Sequence, residues 1–245
     1  MKSNGIILKK GIALWALTVL LTFTLKACGK DKVEIPTGTI TLTTAKSEVS
    51  LTLRIPVDSR NLAIDWGDGK KSNISDASWD ATVTDTDYRQ VHYTYEYSDN
   101  TEHTITITGQ IMEFDCRNMQ ITRLDLSKIK TLKMLDCRNN KLTTLDVSAN
   151  TALNRLECDL NQLTSLDVSK NISLSLLSCV GNQLSVNALN DLFRSLPHKR
   201  GLEYNEVGDI FISFRNFGPR DNPGVLDCDR SIAEEKGWFF RTIRQ

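Results

Sequence analysis

Four of the six cysteines obey a rule: Cys116, Cys137, Cys158 and Cys179 follow one another at intervals of 21 residues. A thiol at fixed spacing can ligate a metal, close a disulfide or fill a core. Structural zinc sites want close pairs such as C-x-x-C, and the sequence holds none. Side chains on neighbouring parallel strands project side by side, not toward each other, which disfavours a disulfide between rungs. The remaining chemistry is that of a small hydrophobe, because a free thiol is among the most buried side chains. The other reactive types are scattered. His92, His103 and His198 lie in no G-x-S-x-G or H-E-x-x-H context. Asp65, Asp68 and Asp76 could suggest calcium, but Asp-Gly is first a tight-turn signal, and an EF-hand ligand series is absent. The expectation is a chain without catalytic residues, metal or cofactor.

Alignment on the cysteines exposes a repeat. Residues 132–145 read LKMLDCRNNKLTTL and 153–166 read LNRLECDLNQLTSL, with IMEFDCRNMQITRL at 111–124 and LSLLSCVGNQL at 174–184. Fixed periods of this length mark stacked arrays in which each unit buries its apolar face against the next. The first three copies are followed by Asp125-Leu126-Ser127, Asp146-Val147-Ser148 and Asp167-Val168-Ser169. In L-x-x-L-x-C the second Leu and the Cys are two apart and share one face of a short strand. One strand per repeat then gives a parallel sheet with an inner Leu column and an inner Cys column. Asn140, Asn161 and Asn182 form a third column where the chain leaves the strand, and an amide there can satisfy turn backbone on two rungs. Met119 takes that position in the first copy.

The alternate positions of the same strands face outward and make the candidate binding surface. They are Glu113, Asp115 and Arg117, then Met134, Asp136 and Arg138, then Arg155, Glu157 and Asp159, and last Leu176, Ser178 and Val180. Three rows mix both charges and the fourth is mostly apolar. Phe114, the one aromatic in these strands, points inward, which favours a protein ligand over a glycan, although a glycan stays open.

These repeats resemble the 21-residue leucine-rich repeats of internalin-like and Bacteroidetes surface proteins, which carry such a cysteine ladder. The resemblance implies a solenoid scaffold for recognition. Residues 37–110 differ: TITLTT, EVSLTLRI, LAIDWGDG, HYTYEY and HTITITG alternate with period two between turn signals, the pattern of a small β-sandwich. The Asp65-Trp66-Gly67-Asp68-Gly69 turn resembles that of PKD-type immunoglobulin-like domains. Beyond the repeats, Leu189, Leu192, Phe193 and Leu196 mark one face of a helix, with Asn187 as its expected N-cap and Pro197 as its stop. Strands are expected at 210–214 and 238–240, with a short helix over SIAEEK capped by Asp229 and stopped by Gly237. Cys228 lies off the 21-residue register.

The N-terminus addresses the chain to the cell envelope. Lys2, Lys9 and Lys10 precede an apolar run from Ile12 to Leu25, the pattern of a secretory signal peptide and too short for a comfortable span. Leu25, Ala27 and Cys28 resemble a bacterial lipobox, which implies lipidation of Cys28 and an outer-membrane lipid anchor; Lys26 departs from that pattern. An uncleaved anchor helix and ordinary cleavage are the alternatives. Without residues 1–27 the chain carries 26 basic against 30 acidic side chains, a net charge of −4, and no basic patch for nucleic acid. The expected organisation is signal peptide 1–27, lipidated tether 28–36, sandwich 37–110, repeats 111–184 and C-terminal cap 185–245. The fold class is mixed β and α/β: an Ig-like β-sandwich, a short leucine-rich-repeat solenoid with a parallel sheet, and an α/β cap. The expected function is binding of a protein on or near the cell surface, with a spacer or scaffold subunit of an outer-membrane complex as the alternative.

Overall fold

The computed structural model describes residues 37–79, 87–199, 207–214 and 219–243. The signal peptide, the tether and Cys28 lie outside the described residues.

Seven strands precede the repeats: β1 (Gly38–Thr44), β2 (Glu48–Pro56), β3 (Ala63–Asp65), β4 (Lys71–Asn73), β5 (Ser78–Trp79), β6 (Tyr88–Glu96) and β7 (His103–Gly109). Alternation decides their faces. In β1 every second residue from Gly38 is buried, and β7 repeats the pattern from His103. Within the repeats come β8 (Glu113–Asp115), β9 (Arg123–Lys128), β10 (Met134–Asp136), β11 (Arg155–Glu157) and β12 (Leu176–Ser178). The tail adds α1 (Val186–Ser195), β13 (Gly208–Phe214), α2 (Ser231–Glu234) and β14 (Trp238–Ile243). The molecule is mostly β, with two sheets and few helices. One sheet runs β4-β3-β7-β1-β9, and the other runs β14-β13-β12-β11-β10-β8-β2-β6-β5. Both cross residue 110, because β9 pairs with β1 and β8 pairs with β2, each antiparallel. The inner residues of both sheets belong to one hydrophobic cluster.

Along the nine-stranded sheet the run β8-β10-β11-β12-β13-β14 is parallel, with one register shift between Phe211 and Ser213 of β13. Leu135 stands opposite Phe114 on one side and Leu156 on the other, then come Leu177, Ile210 and Phe240. Phe114, Leu135, Leu156, Leu177 and Ile210 are all buried, each worth about 2 kcal/mol in apolar area removed from water. The four cysteines at 21-residue spacing are buried and free. Their thiols lean on the next rung: Cys137 Sγ reaches Glu157 O at 3.5 Å and Cys158 Sγ reaches Ser178 O at 3.3 Å. Burial pushes all four thiols up from their ordinary range.

The asparagine column stitches the rungs. Asn161 accepts from Leu142 N at 3.0 Å and donates to Cys137 O at 3.0 Å and Cys158 O at 3.1 Å. Asn140 and Asn182 repeat the pattern one rung away. Asn222 closes the column, accepting from Leu184 N and donating to Cys179 O and Ile212 O. A second column, Asn150 and Asn171, donates to Leu126 O and Ile129 O, and to Val147 O and Asn150 O. Helix α1 buries Leu189, Leu192 and Phe193 as its spacing requires, but its N-cap is Ser185, not Asn187: the Ser185 hydroxyl accepts from Ala188 N. The chain enters the helix two residues earlier than the apolar spacing marks it, and a hydroxyl caps as well as an amide. Asp229 Oδ1 accepts from Ser231 N just before α2, whose formal cap is Arg230.

The W-G-D-G turn folds around Trp66. Gly67 has φ +84°, and a Cβ there would lie 2.4 Å from Thr104 O, so glycine is required twice over. The Trp66 ring stacks on Tyr95 at 4.4 Å, Tyr97 Oη donates to Trp66 O at 2.6 Å, and the Tyr97 ring stacks on His103. The three carboxylates considered for calcium serve turns instead. Asp65 accepts from Gly67 N, Asp68 from Lys70 N and Tyr95 Oη, and Asp76 from Asn73 N.

Candidate functional site

The outward face of the nine-stranded sheet carries the sequence-expected residues, and it is larger than the repeats. Register places Thr52 and Arg54 of β2 beside Asp115 and Glu113, with His92 and Gln90 of β6 one strand further. At the other end Asp209 and Phe211 of β13 stand beside Leu176 and Ser178, followed by Phe239 and Arg241 of β14. Spacing within the repeats could not find these neighbours, since β2 and β6 come from another part of the chain. The only sequence signal for Phe211 was the alternation of IFISF.

The middle of this face is an ion-pair zipper. Arg117 reaches Asp115 at 2.8 Å and Asp136 at 3.7 Å. Arg138 grips Asp136 with two nitrogens, at 2.9 and 2.6 Å, and Glu157 with a third at 2.9 Å. Arg155 closes on Glu157 at 2.5 Å. Each guanidinium matches a carboxylate on its own rung or the next, because parallel strands stack about 4.8 Å apart and an arginine fork spans that gap. Beside β8, Arg54 pairs with Glu113 at 2.8 Å. Two carboxylates around Arg138 hold its proton more tightly than usual, whereas burial pushes the Asp115 carboxyl up.

Five of the residues expected to be open on this face are not. Asp136, Glu157, Asp159, Ser178 and Val180 are buried. Alternation put the acids on the outward side, but guanidiniums of their own and the preceding rung lie over Asp136 and Glu157. Asp159 turns back to accept from Ser178 Oγ at 2.5 Å and Val180 N at 2.7 Å, which tucks all three away. Of the expected residues, Arg117 and Arg155 are exposed, while Glu113, Asp115, Met134, Arg138 and Leu176 are half-buried. Phe239, which the sequence did not single out, is 49% exposed and lies under the Arg241 guanidinium. The solvent therefore meets arginine forks in the centre and, at the β14 end, Leu176, Phe211 and Phe239 interleaved with the Asp209–Arg241 pair. Such a surface can hydrogen-bond carboxylates or carbonyls through preorganised N–H donors and can take up an apolar side chain beside them.

Elsewhere, a groove of about 520 Å³ lies against Thr41, Thr43, Leu145, Asp146, Leu166 and Asp167. Asp125 and Asp146 are held below the usual carboxylate range by Ser127 and Ser148 respectively, through hydroxyl and amide. Among the described residues no group of three His, Cys, Asp or Glu side chains could hold a metal.

No family's sequence model and no curated protein matches the chain. Among solved structures it is similar to the functional domain of InlJ from Listeria monocytogenes, described as including a cysteine ladder. The identity is 25% and the TM-score 0.38, over 55% of this chain and 25% of that one. The chain thus spans about a quarter of the length of that protein.

Proposed function

We propose that the chain is a non-enzymatic protein of the cell envelope that binds a protein partner through the outward face of its nine-stranded sheet. In this reading residues 111–184 are a leucine-rich-repeat solenoid, residues 37–110 an immunoglobulin-like module, and Cys28 a lipidated anchor on the outer membrane. The observation that carries it is the composition of the exposed layer: Arg117 and Arg155, exposed although their forks close on Asp115 and Glu157, share one sheet face with Leu176 and the exposed Phe239. Arginine and aromatic side chains dominate binding energy where they can be desolvated by a partner. The matching partner segment bears carboxylates over the guanidiniums and an aliphatic or aromatic residue over Leu176 and Phe239.

The test compares capture from the native envelope and from host-cell extract by the wild type and by Arg155→Ala with Phe239→Ala. Both side chains are solvent-exposed and Glu157 keeps Arg138, so the fold is retained. Loss of the captured protein supports the reading. Equal capture by both moves the site to the groove beside Asp146 and Asp167.

A second reading, a spacer or scaffold subunit, is favoured by one observation: both sheets run across residue 110, so the two segments share their sheets. A stable membrane-complex partner retained by the double variant would select it. Protease shaving of intact cells, with the mass of the N-terminal peptide at Cys28, tests the anchor and its exposure together.

A further inference from the structure

The zipper has one carboxylate too many. Asp115, Asp136 and Glu157 are matched by Arg117, Arg138 and Arg155, and the next charges along the sheet, Asp209 and Arg241, close on each other at 2.8 Å. Asp159 is the acid left over. Its position in the repeat is Arg117 in the first copy and Arg138 in the second, so the third copy has replaced a cation by an anion. The side chain is 3% exposed. Oδ1 accepts from Ser178 Oγ and Val180 N, but Oδ2 is buried with no hydrogen-bond partner among the described residues.

The next residue breaks a rule as well. The column that follows the zipper turns left-handed on every rung, at Asn118 (φ 61°), Asn139 (φ 54°), Leu160 (φ 54°) and Gly181 (φ 67°). Asparagine and glycine tolerate that conformation, and a leucine does not. Leu160 is 37% exposed and lies over Gly181, where a Cβ would come within 2.7 Å of its methyl. Two adjacent departures from the repeat, an orphaned buried oxygen and a strained bulky residue, meet at a single rung. Departures of this kind gather where a protein trades local stability for a function.

We infer that Asp159 is a proton-operated latch on the outward face, holding the ends of β11 and β12 together when protonated and loosening them when ionised. The charged groups that bear on it pull in opposite directions. Arg138 attracts it but is held by Asp136 and Glu157, Glu157 on its own strand repels it, and the neighbouring thiols Cys137 and Cys179 are buried and neutral. A neutral carboxyl can keep the Val180 and Ser178 contacts without a net buried charge, whereas an ionised one leaves a bare oxygen in a low-dielectric site. Burial accordingly raises the Asp159 pKa from the ordinary 3.8 to about 6 against the opposing hydrogen bonds. Because the folded value lies above the unfolded one, the folded state binds the extra proton between these values. The stabilisation is complete below about 3.8 and is lost as pH rises through about 6.

The latch does not depend on the identity of the partner. The full chain and its Asp159→Asn variant are compared by urea unfolding at pH 5 and pH 7.5, with ¹³C NMR of the Asp159 carboxyl in the wild type. Asparagine keeps an acceptor for Val180 N and cannot ionise. The unfolding constant of the wild type relative to the variant is expected to rise about tenfold between the two pH values, with the carboxyl resonance titrating near pH 6. A stability difference independent of pH, or a resonance titrating in the ordinary carboxylate range, overturns the inference. If the variant does not fold, the wild-type titration decides alone.

Discussion

The N-terminal strands β1–β7 and the repeats solve the problem of buried polar backbone in opposite ways. In the repeats one device recurs: an amide at a fixed position accepts from one rung and donates to two carbonyls, four times over from Asn140 to Asn222. Among the N-terminal strands each solution is used once. Tyr97 caps Trp66 O, Trp66 Nε1 donates to Ser72 Oγ, and His103 stacks on Tyr97 beside Asp99. A periodic device spreads load over identical neighbours and leaves a trace in the sequence. A unique device leaves none, and its failure stays local.

That contrast can be broken by substitution, and the largest effect belongs to the ladder. Asn161→Ala leaves Leu142 N buried without its acceptor, at about 1–3 kcal/mol, while Cys137 O and Cys158 O each lose one of two amides and keep Asn140 and Asn182. The expected loss is about 2–4 kcal/mol in urea unfolding, centred on the contact between the second and third rungs. A loss below about 1 kcal/mol would mean that water replaces the amide and that the column is not what joins the rungs.

Tyr97→Phe tests the other side. It removes one hydrogen bond from a ring that keeps its stacking on His103, so the expected cost is about 1 kcal/mol. A cost comparable to that of Asn161→Ala would show that the N-terminal strands are as cooperative as the ladder. Smaller still, Leu160→Asn restores the residue type of the two preceding rungs at a left-handed position and should stabilise the fold by about 0.5–1 kcal/mol. Destabilisation would place the Leu160–Gly181 packing above the backbone strain. Thiol labelling sharpens the comparison without mutation: at pH 8 the native chain should alkylate at the half-buried Cys228 long before the four ladder cysteines, which are buried and hard to ionise. Rapid labelling at Cys137 or Cys158 would show the ladder opening.

The ladder was legible because its residues repeat. Four cysteines at equal spacing gave the strand positions, the inner leucines and the asparagine column. Where the period fails, the reading failed with it. Asn222 stands 40 residues from Asn182, outside any 21-residue search, yet it completes the same column. Alternation told which side of the strand Asp136 and Glu157 occupy, but not that guanidiniums from their own and the preceding rung would cover them. The face's extension onto Thr52, Arg54 and His92 depends on β2 docking against β8, a pairing some 60 residues apart in sequence that no local pattern encodes. Phe239 was read as part of a closing strand, and its exposure follows from the face that β14 turns to solvent.

The central claim is that the partner sits on the outward sheet face. The most direct test places a photoreactive residue at position 239 in one chain and at position 146, inside the groove, in another, and irradiates both in the native envelope. The account expects a discrete cross-linked protein from position 239 and none from position 146. A cross-link from position 146 alone would contradict it and assign recognition to the groove.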